Sequence, residues 1–350
     1  MQTEYIKLDP EHMDKAALKK GALLLRQGEV VAFPTETVYG LGANALDPAG
    51  VDKIFLAKGR PGDNPLIVHV AHPDQLKPLV TEISSGAYAL MERFWPGPLT
   101  LIFPKSTLVP SNVTGGLNTV ALRMPGHPVA LALLQEAGVP VAAPSANLSG
   151  KPSPTVGEHV WTDLMGKIPL ILDGGETQYG VESTVLDLTT TPPMILRPGG
   201  VTLEEIQEVI GEVRQDPALK ANQPPRSPGM KYTHYAPEAE VLIMEGSEQE
   251  ITSLIVNHYQ RLVKTGQKIA LLVSEETARE LEHQLVPDYL EILGPRKNLS
   301  LVAHRLFSAL RHADFHGVDL ILIEAFSDQG LGAAVMNRMR KAAGNKVLKS

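Results

Sequence analysis

Lys58 and Arg60 stand two positions apart in the segment FLAKGRPGDNPLIVH, residues 55–69. Arg60 precedes Pro61, which biases it toward an extended conformation, and side chains at i and i+2 of an extended chain leave on the same side. Together with the helix-breaking effect of Gly59 and Pro61, this predicts a two-pronged cationic clamp on a non-helical segment. Gly59 and Gly62 remove side chains around it, so a bulky anion such as phosphate or carboxylate can come close to the backbone. Ser145 and Asn147 form a second pair of the same spacing in VPVAAPSANLS, residues 139–149, where a short apolar run typical of a buried strand ends. Such strand ends are where ligands of α/β proteins bind. Arg123 and Arg197 each close an apolar strand just before Met-Pro-Gly or Pro-Gly. A guanidinium fixed there suits bidentate recognition of carboxylate or phosphate, so four cations, with Asn64 beside the first two, can converge on one polyanion.

Thr35 and Thr37 flank Glu36 in a strand, and strand alternation predicts both hydroxyls on one face with the glutamate pointing away. They are candidate donors to a small polar ligand, between Pro34 and a Tyr-Gly-Leu-Gly turn. His69 ends the apolar strand PLIVH, and as a lone histidine it reads as structural. No G-x-x-x-x-G-K-S/T phosphate loop occurs, and Gly330 with Gly332 reads as a tight turn into the last helix and not as a dinucleotide fingerprint. His304, His312 and His316 fall at helical spacing without a matching ligand geometry, so no structural metal is assigned.

Elements must hold these groups in place. The 350 residues predict two domains, each able to bury a core. Helices are expected near 13–27, 50–57, 73–81, 84–94, 128–137 and 155–165, and strands over LTLIFP, TVALRMP, PVAAPSA, PLILDGG, STVLDLT and PMILRPG. A twisted mixed sheet flanked by helices fits this order. Residues 212–238, rich in proline without apolar period, read as a linker between a domain at 1–211 and one at 239–350. Beyond it, regular alternation predicts a smaller parallel, Rossmann-like α/β domain. With 43% apolar and 20% charged residues the chain is of ordinary globular composition. It shows neither a secretory signal nor a membrane-spanning run, which predicts a cytoplasmic protein. The absence of cysteine excludes disulfides and thiolate chemistry, and a net charge of −7 speaks against stable nucleic-acid binding through a broad basic face.

The pairs KGR-x-x-x-NPL and PSAN, with FPTETVYGLG at 33–42 and SPGMKYTHYAP at 227–237, resemble the two-domain YrdC-type threonylcarbamoyl-AMP synthases. The resemblance implies a nucleotidyltransferase that makes L-threonylcarbamoyl-AMP from L-threonine, bicarbonate or carbon dioxide, and ATP, with magnesium and release of pyrophosphate. It implies a product handed to a threonylcarbamoyl transferase complex acting on transfer RNA beside the anticodon. Carried over by residue, Lys58, Arg60, Ser145 and Asn147 form the catalytic tetrad. Asn64, Thr119, Ser153 and Arg197 join Lys58, Arg60 and Ser145 around ATP, with Tyr235 and His234 from the linker, which serves as an active-site lid. Thr35, Thr37, His69, Arg123, Ser183 and the backbone near Ala143 are expected around threonine. The alternatives are an RNA-binding or ribosome-associated module using the same basic cavity, and carbamoyl transfer as in hydrogenase maturation factors, whose accessory segments are missing here.

Overall fold

Asp14, Asp47, Ser84 and His127 each turn a side-chain acceptor back onto an amide of the turn that follows. These caps satisfy donors that a helix start leaves unpaired. They set where four helices begin beside a large sheet. The computed structural model describes residues 1–216 and 235–350, which divide into two compact units, 1–149 with 153–216 and 150–152 with 235–350.

The first unit runs β1 (Glu4–Lys7), α1 (Lys15–Arg26), β2 (Val31–Phe33), β3 (Gly40–Asn44), α2 (Pro48–Lys58), β4 (Ile67–His69), α3 (Ser85–Phe94), β5 (Leu99–Pro104) and α4 (Ser111–Thr114). It continues through β6 (Thr119–Arg123), α5 (Pro128–Ala137), β7 (Val141–Ala142), α6 (Gly157–Leu164), β8 (Leu170–Asp173), β9 (Thr184–Asp187), β10 (Met194–Arg197), α7 (Leu203–Ile210) and β11 (Arg214–Gln215). The strands form one sheet in the order β1-β8-β2-β3-β7-β4-β6-β5-β9-β10-β11. It is mixed: β4 and β6 are parallel, whereas β7 is antiparallel to both β3 and β4. Apolar clusters bury both faces, one around Tyr39, Leu101 and Leu122 and the other around Phe33, Leu133 and Leu172.

Four elements differ from the expected ones. The Tyr-Gly-Leu-Gly segment is not a turn but the start of β3; a Cβ on Gly42 would lie 2.6 Å from Val141 Cγ1 and 2.7 Å from the Phe33 ring, so the glycine serves close packing. Residues 36–38 form a bend, so strand alternation does not govern Thr35, Glu36 and Thr37. Pro73–Leu76 is a single 3-10 turn where a helix to residue 81 was expected. Helix α2 extends to Lys58 itself, and Gly59 closes it in the left-handed conformation at φ 60°.

The second unit runs β12 (Glu240–Glu245), α8 (Glu248–Leu262), β13 (Ile269–Ser274), α9 (Glu275–Leu281), β14 (Tyr289–Gly294), α10 (Leu299–Phe315), β15 (Leu320–Glu324), α11 (Gly332–Ala342) and β16 (Val347–Lys349). Its sheet, β14-β13-β15-β12-β16, is parallel throughout, as the alternation predicts. Gly330 takes φ 54° in the turn before α11. His312 lies beside Glu291 and His316 stacks on Tyr289. Among the described residues no helix is long and apolar enough to cross a membrane. Within the expected linker, Arg214–Gln215 form β11, paired with β10; most of the expected lid, His234 included, lies outside the described residues.

Candidate functional site

Lys58 sits on the last turn of α2, where a cation complements the helix C-terminus. Its side chain is buried at 2% exposure, and its Nζ donates to the Ser145 carbonyl at 2.5 Å, the Asn147 carbonyl at 2.5 Å and Asn147 Oδ1 at 3.5 Å. The expected outward clamp is therefore corrected: an αL glycine between Lys58 and Arg60 breaks the extended geometry, and the lysine points inward to hold the 145–147 loop. Arg60 reaches the Pro65 carbonyl with Nη2 at 3.5 Å. Ser145 and Asn147 do meet, Ser145 Oγ donating to Asn147 Oδ1 at 2.6 Å. Backbone pairing of Gly40 with Ser145, and an Ala146 amide donating to the Tyr39 carbonyl, seat that loop against the start of β3. Lys58, Ser145 and Asn147 thus form one bonded cluster.

A second cluster gathers the residues expected around threonine. Thr35 Oγ1 donates to the Val38 carbonyl at 2.6 Å and lies 2.8 Å from Thr37 Oγ1, so Thr35 is spent inside the bend. Arg123 Nη2 donates to Thr37 Oγ1 at 3.0 Å, and its Nε donates to the Gly97 carbonyl. The same guanidinium lies 2.7 Å from Glu36 Oε1. Glu36 does not point away, as alternation predicts; the bend turns it inward, and sequence spacing carries no signal for that. His69 pairs in register with Arg123 across β4 and β6, packs edge-on to Phe33, and its Nδ1 has no hydrogen-bond partner among the described residues. Burial first, and the Arg123 charge second, hold His69 down to about 3, so it is neutral near pH 7. The Ala143 amide is already used on the Ile67 carbonyl.

Ser183 and Arg197 meet directly, although they were expected around different substrates. Arg197 Nη2 donates to Ser183 Oγ at 3.2 Å and its Nε to the Ser183 carbonyl at 3.1 Å, while Thr100 Oγ1 lies 2.8 Å from Ser183 Oγ. Ser153 Oγ donates to Glu182 at 2.6 Å. Asn64 is buried, its Nδ2 without a hydrogen-bond partner among the described residues, and Thr119 opens β6 opposite Pro104. Tyr235 belongs to the second unit, where its ring lies 5.2 Å from that of Phe307 and beneath Arg338 and Lys341. No group of three or more histidine and carboxylate residues among the described ones could cage a metal ion.

Chemically, the first unit offers fixed cations, hydroxyls and amides without an activated nucleophile. That suits binding and charge neutralisation of anions in a dry site. The chain matches the Sua5/YciO/YrdC family model, described as telomere recombination, over residues 23–199. A model of the threonylcarbamoyl-AMP synthase C-terminal domain matches over 201–344. A threonylcarbamoyl-AMP synthase of Pyrococcus abyssi is 50% identical over 341 residues, covering 97% of either chain. One of Bacillus subtilis is 53% identical over 334 residues, 95% of this chain and 94% of the relative. The crystal structure of P. abyssi Sua5 complexed with L-threonine superposes with a TM-score of 0.94 at 50% identity, covering 99% of this chain and 100% of that one.

Proposed function

Because the chain belongs to the Sua5/YciO/YrdC family of threonylcarbamoyl-AMP synthases, we propose that it makes L-threonylcarbamoyl-AMP from L-threonine, bicarbonate and ATP, a nucleotidyl transfer that releases pyrophosphate. The observation that carries the reading is the set of buried polar atoms that have no hydrogen-bond partner among the described residues: Asn64 Nδ2, His69 Nδ1 and both Glu36 carboxylate oxygens fall on or beside residues expected to hold substrate. Buried polar groups are ordinarily satisfied, and substrates would satisfy these.

Threonine carbamate attacks the α-phosphorus in line through a carboxylate oxygen; the new O–P bond forms as the bond to pyrophosphate breaks. Alignment and charge neutralisation suffice for that step. In this reading Lys58 sets the loop that aims Ser145 and Asn147, Arg60 and Arg197 face phosphates with Asn64, Thr119 and Ser153 around the nucleotide, and Arg123 holds the threonine carboxylate beside Thr37, His69 and Ser183. Magnesium enters with the nucleotide, since the described carboxylates form no cage and Mg²⁺ is commonly held by substrate phosphates and water. A cytoplasmic location, delivery of the product to a transfer-RNA threonylcarbamoyl transferase, and the division into catalytic domain, lid and C-terminal domain belong to the same proposal. The test is incubation with ATP, labelled bicarbonate and one amino acid at a time. A labelled adenylate with threonine alone supports the reading; none with any amino acid refutes it.

A further inference from the structure

We infer that Glu36 receives the α-ammonium of L-threonine and takes the proton that its nitrogen loses as the carbamate forms. The inference rests on the synthase reading above.

Glu36 is 5% exposed. Its Oε1 lies 2.7 Å from Arg123 Nη2, yet off the line of any N–H, so that neither carboxylate oxygen receives a hydrogen bond among the described residues. A buried carboxylate that is ion-paired but accepts no hydrogen bond has lone pairs left unsatisfied, and an ammonium brings three donors. The residue is nonetheless fixed in place, because its carbonyl accepts the Tyr179 amide at 2.8 Å. Arg123 lies against its carboxylate, the glutamate's charge acts on His127 and Tyr179, and Gly126 packs beside it. A Cβ on that glycine would come within 3.6 Å of the Glu36 carboxyl carbon.

Arg123 and Glu36 present opposite charges side by side, next to the Thr37 hydroxyl that Arg123 also holds. An α-amino acid zwitterion is the complement of that pair, carboxylate to guanidinium and ammonium to carboxylate. Arginine, glutamate and zwitterion sum to zero charge, and they still do once the proton has moved to Glu36. A low-dielectric pocket tolerates such a transfer, whereas release of a lone charge into it would be opposed. The other basic side chains are less suited: the Lys58 ammonium is engaged by three acceptors, and His69 is held neutral by burial and by Arg123.

The step balances. Threonine ammonium and bicarbonate give the carbamate, one water and one proton. An N–H bond breaks toward Glu36, the nitrogen pair forms the N–C bond, and hydroxide leaves the bicarbonate carbon as water with a second proton from nitrogen. The later attack on ATP needs no amine proton. Pre-formed threonylcarbamoyl-AMP with pyrophosphate therefore runs the second step backward to ATP without Glu36 acting as base.

Full-length Glu36→Gln and Glu36→Asp are assayed in both directions. We expect E36Q to lower synthesis from threonine by about 10²–10⁴-fold and pyrophosphorolysis by less than about tenfold, with E36D recovering at least about tenfold of the lost synthesis. Near-normal synthesis by E36Q, or an equal loss in both directions, overturns the inference, the second outcome making Glu36 a support for Arg123 alone. If E36Q does not fold, Glu36→Ala decides: a loss confined to the forward direction supports the inference, and an equal loss in both directions or none overturns it. Failure of the wild type to make the adenylate refutes the synthase reading itself.

Discussion

Lys58 illustrates how a residue type is legible in sequence while its direction is not. Basic character among glycines and prolines marks a site, but the αL cap at Gly59 turns the ammonium into the protein. Lys58→Ala should therefore do two things. It should lower turnover by about 100-fold or more, as loss of a preorganised electrostatic group does. It should also lower the unfolding free energy by on the order of 2 kcal/mol, read as a lower urea midpoint, since buried carbonyls lose their donor; an unchanged midpoint contradicts the inward role. His69 gives a pH signature. Its folded value of about 3 lies below the ordinary 6.5, so the unfolded chain binds the proton more tightly and stability contributed above pH 6.5 is lost as pH falls toward 3. Between pH 6.5 and 5 this amounts to about 2 kcal/mol. Unfolding free energies of His69→Gln should fall less steeply in that window, and a slope equal to wild type contradicts the burial argument. The hydroxyls of Thr37 and Ser183 bear on substrate choice. Valine should be turned over about 10⁴-fold less efficiently than threonine, and serine only about 10–200-fold less, because a buried polar site rejects loss of a hydroxyl more strongly than loss of a methyl. Comparable kcat/KM for valine and threonine would remove that pocket from the account.

Elements with a clear period are legible to within a residue or two: α5 begins at Pro128 behind a capping side chain and ends before Gly138, as expected, and β5 covers LTLIFP. Two features are not. A strand rich in glycine such as β3 looks like a turn, because what selects glycine there is the Phe33 ring and Val141 on neighbouring strands, contacts that local sequence does not encode. The bend at residues 36–38 reverses the expected direction of Glu36 for the same reason, since Arg123 is supplied by a distant strand. Gly42→Val should therefore destabilise the first unit by about 1–3 kcal/mol through overpacking, read as a lower urea midpoint. A midpoint equal to wild type would mean that β3 can yield.

At the level of the whole molecule, the order of strands and helices in the sequence is enough to separate a mixed sheet from a parallel one, and the structure shows both. The boundary is less legible, because β11 has two exposed residues and no apolar signal. A chain ending at residue 216 keeps the complete first sheet and should unfold cooperatively on its own; loss of cooperative unfolding would show that the first unit needs the rest of the chain. Adenylate formation requires attack on the α-phosphorus. Bicarbonate labelled with ¹⁸O, supplied with ATP and threonine, tests it by mass spectrometry of the products. The account predicts ¹⁸O in the bridge between carbonyl carbon and phosphorus of the adenylate, with one unlabelled pyrophosphate for each adenylate made. Formation of ADP with ¹⁸O in inorganic phosphate would place the attack on the γ-phosphorus and contradict it.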